Sequence, residues 1–277
     1  MRTRILVCGV MAAAWACTSC STGPTPPAPG TPAFFWGAAR QTYHSGDFRK
    51  TNDNLMQLVR AESEFTARSR PWAAVVSAGL AHGYYDLAEA YETGAKANRQ
   101  NPTPFRKQVT AYRSFSSAAA LEFAETVHVF LDKDKDADVL LACEFPNGSA
   151  VEPPNLAKVE KGMLMQESER EQLEAAMLQR GVVRSMSLVV GTPDDSAKAL
   201  ELFKAGEPKV PRATFVYGLA KSLFDLSSLY GSNRLDQPQR LKLLCDEALA
   251  ALAGTPETKD TKALTAKIQA AVKKPKT

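Results

Sequence analysis

Residues 104–130, PFRKQVTAYRSFSSAAALEFAETVHVF, set the fold class. Phe105, Val109, Tyr112, Ser116, Ala119, Phe123, Val127 and Phe130 recur at spacings of three and four, which aligns them in one stripe along a helix. Arg106, Lys107, Arg113, Glu122 and Glu125 fall mostly on the other faces. The run follows Asn101-Pro102-Thr103-Pro104. A proline suits the first turn of a helix, where its missing N–H would have no intrahelical partner. The expected element is a long amphipathic helix.

The same period continues on both sides. Thr192-Pro193-Asp194-Asp195 reads as a cap, a first-turn proline and two acids at the positive end of a helix that carries Ala199 and Phe203 and stops at Gly206. Pro211 opens a helix with Phe215, Leu219, Leu223, Leu226 and Tyr230, and Gly231 closes it. Pro238 starts another, with Leu241, Leu244, Cys245, Ala248 and Leu249 on one side, and a last segment spans about Lys259 to Lys274. Two stretches are less plainly helical. Residues 138–157 mix β-prone and loop residues, as expected of a hairpin-like or extended insertion. Residues 181–191, GVVRSMSLVVG, are rich in β-branched residues but continue from REQLEAAMLQR without a strong stop. They are read as helix, weakened at Gly181 by about 1 kcal/mol.

Several helices share a finer pattern of a large apolar residue, a small residue four positions on, then an aromatic or β-branched one. Tyr84-Tyr85-Asp86-Leu87-Ala88-Glu89-Ala90-Tyr91 with Gly94 is the fullest example. Leu223, Leu226, Ser227 and Tyr230 repeat it, as do Val183, Met186, Ser187 and Val190. Phe35, Ala38, Ala39 and Thr42 precede a turn at Ser45-Gly46-Asp47-Phe48. This resembles the tetratricopeptide repeat, and the resemblance implies a TPR-like α-solenoid of antiparallel helix pairs. The small residues Ala39, Ala88, Ser187 and Ser227 would let neighbouring helices approach closely. Spacing nearer 40 to 50 residues than 34 leaves a compact, non-repetitive helical bundle as the alternative.

The N-terminus reads as an address. Arg2 and Arg4 precede a short apolar run from Ile5 to Ala16, then small residues and cysteine, the parts of a secretory signal. The run is too short for a helix to span a bilayer. Thr18-Ser19-Cys20 resembles the lipobox of bacterial lipoproteins, which implies acylation at Cys20, with Cys17 the alternative. The expected organisation is a signal peptide at 1–19, a Pro/Thr/Gly-rich tether at 20–33 and a helical repeat domain at 34–277. Ser21 is not the aspartate that favours inner-membrane retention in such lipoproteins, which points to the outer membrane, facing the periplasm. Ordinary cleavage to a soluble periplasmic protein is the other outcome.

Hydrophobic residues make up 44% and charged residues 23%, a globular composition. Without Arg2 and Arg4 the cations number 32 against 30 acids, too even a balance to predict nucleic-acid binding. Asp132, Asp134, Asp136 and Asp138 alternate like the start of an EF-hand loop, but Ala137 replaces the turn glycine and Cys143 the closing glutamate. His44, His82 and His128 have no ligand spacing, and Cys143 and Cys245 sit in apolar stretches that suit buried thiols. No metal, cofactor or catalytic residue is therefore expected. In repeat solenoids the first helices line the ligand-binding face. That singles out Tyr43, Tyr84, Tyr85, Tyr217 and Tyr230 as candidate groove residues. The expected function is binding or scaffolding of an envelope protein or peptide. The alternative is a periplasmic small-molecule or lipid carrier, because lipobox, size and degenerate repeats also loosely resemble the TPR-type T component of TRAP transporters.

Overall fold

Every residue from Ser69 to Tyr84 is buried, and this run lies inside one helix around which the chain is arranged. A helix buried on all faces needs neighbours on all sides. The computed structural model describes residues 27–146, 154–193 and 195–273. The signal-peptide reading, Cys17, Cys20 and the first half of the tether lie outside the described residues, as do Asp194 and the Asn147-Gly148-Ser149 segment.

The described chain is all-helical apart from two three-residue strands. α1 (Pro32–His44) and α2 (Phe48–Arg60) form a helical hairpin. Its turn is the expected one: Gly46 takes φ +79°, and the Asp47 carboxylate accepts from the Lys50 N–H at 3.2 Å to cap α2. α3 (Thr66–Ala97) and α4 (Thr103–Lys133) make a second, much longer hairpin. All eight residues of the 105–130 stripe are buried there. A single turn, α5 (Ala157–Glu160), packs on α3, and α6 (Glu167–Val189) crosses it. α7 (Ser196–Lys204), α8 (Arg212–Ser227), α9 (Pro238–Ala253) and α10 (Lys259–Lys273) complete the molecule. α3 packs against α2, α4, α5, α6 and α8.

The α3–α6 crossing is a glycine contact. A Cβ on Gly181 would stand 2.1 Å from the Gly79 carbonyl oxygen, and one on Gly79 would stand 2.4 Å from Val182 Cα. Side chains of any size would force the two backbones apart. The helical reading of 181–191 is therefore correct, with Gly181 serving close approach rather than merely weakening the helix. Ala39, Ala88, Ser187 and Ser227 are all buried, as small residues at helix contacts should be. The Tyr84–Tyr91 set lies well inside α3, which runs on through Gly94 without a turn.

Two expectations change and a third narrows. Thr192 is not a helix cap: its N–H donates to the Ser187 carbonyl at 2.8 Å and so finishes α6, after which Gly191 has φ +82°. Asp195 caps α7 instead, accepting from Lys198 N–H at 2.8 Å. Among its described residues the insertion takes the extended rather than the hairpin form. β1 (Asp138–Leu140) pairs antiparallel with β2 (Lys209–Pro211), from a distant part of the chain, with Val139 opposite Val210. Beyond β1 the chain enters the core: Leu141, Ala142 and Phe145 are buried, Trp72 Nε1 donates to the Ala142 carbonyl at 3.1 Å, and Phe145 stacks on Trp72 at 4.9 Å. Cys143, expected to be buried, is half-buried, whereas Cys245 is buried; both are free thiols.

The alternating acids near 132–138 have a structural role. Asp134 ends α4 and takes two bonds from the buried Arg70 guanidinium, at 3.3 and 3.2 Å. Arg212 donates to the Asp134 carbonyl and lies 5.1 Å from the Phe130 ring centroid. α3, α4 and α8 are thus tied together where the short ladder begins. Burial raises the Asp134 carboxyl above the usual range, with Arg70 opposing it.

Candidate functional site

Tyr84 sits on α3, one turn before Leu87 and Ala88 and two before Tyr91, so Tyr84 and Tyr91 share a side of the helix. α4 brings Tyr112 and Phe115 to that side. Tyr84 stacks on Tyr112 at 6.1 Å and meets Phe115 at 5.3 Å, while Tyr91 packs on Tyr112 at 5.5 Å. From α2, the Arg49 guanidinium lies 5.3 Å from both the Tyr84 and Phe115 ring centroids. Such cation–π placement is attractive because the ring face is electron-rich. Arg49 also pairs with Glu174 of α6, whose other carboxylate oxygen accepts from the Tyr112 hydroxyl at 3.2 Å. Four helices meet at this cluster.

Burial sets its protonation states. The Tyr112 phenol is pushed up to about 12, chiefly by burial, and those of Tyr84 and Tyr91 are raised for the same first cause. The tyrosines stay neutral donors. Tyr84 is buried, and the neighbouring Arg49 guanidinium opposes the effect of burial through its charge and a hydrogen bond to the phenol oxygen. Phe115, by contrast, is 43% exposed.

Beside the cluster runs an open cleft of about 590 Å³ between the α1–α2 turn and α6. Arg49 and Arg170 line it, with Asp47, Glu171 and Glu174 of opposite sign and Leu178 as an apolar contact. Arg49 and Glu174 belong to both, so this ion pair forms the wall between the cleft and the aromatic stack. The site presents donors, acceptors, both charges and aromatic faces. It gathers no nucleophile with a base, and among the described residues no three His, Cys, Asp or Glu side chains group to hold a metal.

Of the five tyrosines singled out from the sequence, only Tyr84 belongs here. Tyr43 is core, edge-on to Phe48, Trp72 and Phe145 at 5.2, 5.8 and 5.5 Å. Tyr230 is buried, and its hydroxyl donates to the Ser117 carbonyl at 3.2 Å. Tyr85 is half-buried under Arg234, 5.1 Å from its guanidinium, and accepts from Ser228 Oγ at 3.4 Å. Tyr217 is half-buried at a smaller pocket of about 210 Å³ near Pro256 and Asp260. The five do not line one groove. Arg49, Phe115 and Glu174 were missed; the available signal was Phe115, a large aromatic beside the apolar stripe of its own helix rather than within it. Family models, curated proteins and solved structures were all compared with this chain, and none matches it.

Proposed function

We propose that the chain is an exported, lipid-anchored binding protein of the cell envelope that holds a peptide segment of an envelope protein in the cleft beside Arg49 and Glu174. The observation that carries this reading is the aromatic stack of Tyr84, Tyr112 and the exposed Phe115 behind a single ion pair. A polypeptide offers what that surface can use: amides that donate and accept, and side chains that pack on Phe115. Mixed charge around the cleft suits a peptide better than a ligand of one sign. The cysteine-ended leader supports the anchor, and the even charge balance of the mature chain supports a partner other than nucleic acid.

The arrangement of neighbours around α3 favours the bundle form of the all-α fold over stacked solenoid pairs, while the α1–α2 hairpin keeps the TPR-like character. The carrier reading finds less support. Enclosing sites for small ligands commonly reach about 300–1,000 Å³, whereas the cavity beside His82 holds about 160 Å³ and the cleft beside Arg49 is open. Selection of a random peptide library on the immobilised full chain tests the proposal. Enriched peptides should lose binding to the Phe115→Ala and Arg49→Ala variants; no enrichment, or binding indifferent to both substitutions, would reject it.

A further inference from the structure

Where α3 turns into α4, the two helices bound a second cleft, of about 610 Å³, distinct from the one beside Arg49. α3 contributes Glu92 and Lys96, the turn after it contributes Arg99, and α4 contributes Arg106, Thr110 and Arg113. Spacings of three and four put the α4 trio on one side of its helix, and Glu92 and Lys96 on one side of α3. The two helices and the turn between them therefore line the cleft with four cations against a single carboxylate. Like charges brought together in this way repel unless something of opposite sign lies between them.

Glu92 does not supply enough. It bonds both Lys96, at 2.9 Å, and Arg113, leaving no lining carboxylate for Arg99 or Arg106. Arg113 is further held 3.7 Å from Glu89, and its side chain is only 14% exposed. Even so, its Nε is buried without a hydrogen-bond partner. The Arg113 guanidinium is thus anchored at the wall of the cleft, while Arg99 and Arg106 stay exposed beside it. Ala95, Pro102 and Val109 give the cleft apolar walls.

We propose that this cleft binds a phosphate-bearing ligand. A phosphate group carries more charge than a carboxylate and presents several acceptor oxygens, which suits three planar guanidinium forks and an ammonium. The apolar walls take the organic part. The same chemistry is offered by a soluble phosphate ester and by a phospholipid headgroup.

The test uses the full chain with two probes. Glycerol phosphate is titrated against sodium chloride at matched ionic strength while thermal unfolding is followed. Vesicles of phosphatidylcholine, with or without phosphatidylglycerol, are used for co-sedimentation. An acyl anchor would draw the chain into both vesicle types alike, so the difference between them reports attraction to the anionic lipid, which the double substitution then assigns to the cleft. The expected result is saturable stabilisation by the ester, or sedimentation that rises with phosphatidylglycerol, weakened about tenfold in Arg99→Gln/Arg106→Gln. Response to the soluble ester identifies a soluble ligand, and response to the vesicles alone identifies a headgroup. Both replaced residues are exposed, and an unchanged circular dichroism spectrum confirms the fold. Equal stabilisation by chloride with no lipid preference, or a response that survives the double substitution, overturns the proposal.

Discussion

Gly181 and Gly37 are both glycines within helices, and helix propensity alone would treat them alike. Alanine at Gly37 meets nothing within 4 Å and should stabilise the chain by about 0.5–1 kcal/mol. Alanine at Gly181 would meet the backbone of Gly79, which cannot rotate away as a side chain can. The expected loss is about 2–4 kcal/mol, and urea unfolding of the two variants should give opposite signs. His82 offers a second test at this scale. Burial, then the Arg184 and Lys221 charges, lower its imidazole from 6.5 to about 3. The unfolded chain therefore takes up a proton that the fold refuses as pH falls from about 6.5 toward 3, so stability declines across that interval. At pH 5 this amounts to about 2 kcal/mol. His82→Gln, neutral throughout, should lose less stability between pH 7 and pH 5 than the native chain. Equal losses would mean that His82 accepts its proton in the fold.

Among the elements, the junction of α3, α4 and α8 gives the sharpest expectation. Arg70 is 8% exposed and depends mainly on Asp134, since its other partner, Glu62, lies at 3.4 Å and is itself exposed. Asp134→Ala would leave a buried guanidinium without adequate compensation, at a cost of about 3 kcal/mol. Arg70→Met/Asp134→Leu, which removes both charges, should recover most of that loss in the same unfolding measurement. Helix limits were legible in the sequence because Pro104, Pro211, Pro238 and Gly46 act through local backbone geometry. The α7 cap was misplaced because Thr192 and Asp195 are both good capping residues, and only the path of the preceding chain decides between them. The β1–β2 ladder was illegible for a related reason: three residues carry too little pattern to announce a partner so far along the chain.

At the scale of the whole molecule, the position of α3 depends on what its neighbours bury, and periodicity does not report that. A continuous buried run such as Ser69–Tyr84 breaks the amphipathic stripe on which sequence reading depends. The aromatic cluster is harder still, since Arg49, Tyr84, Phe115 and Glu174 come from four helices and share no local spacing. Tyr84 stands out because it falls in a repeat-like set; Phe115 stands out only as a large aromatic beside the apolar stripe of its helix. The resulting picture has a central helix with two clefts, one of mixed charge beside aromatics and one basic. The first is the one proposed to hold a peptide. Its most direct test is a photoreactive phenylalanine analogue at position 115 in cells, with the same analogue at Leu243, an exposed apolar position on α9, for comparison. A peptide-binding cleft predicts a discrete protein adduct at 115 that weakens with Arg49→Ala and is missing at 243. No adduct at 115, or the same adducts at both positions, would contradict it.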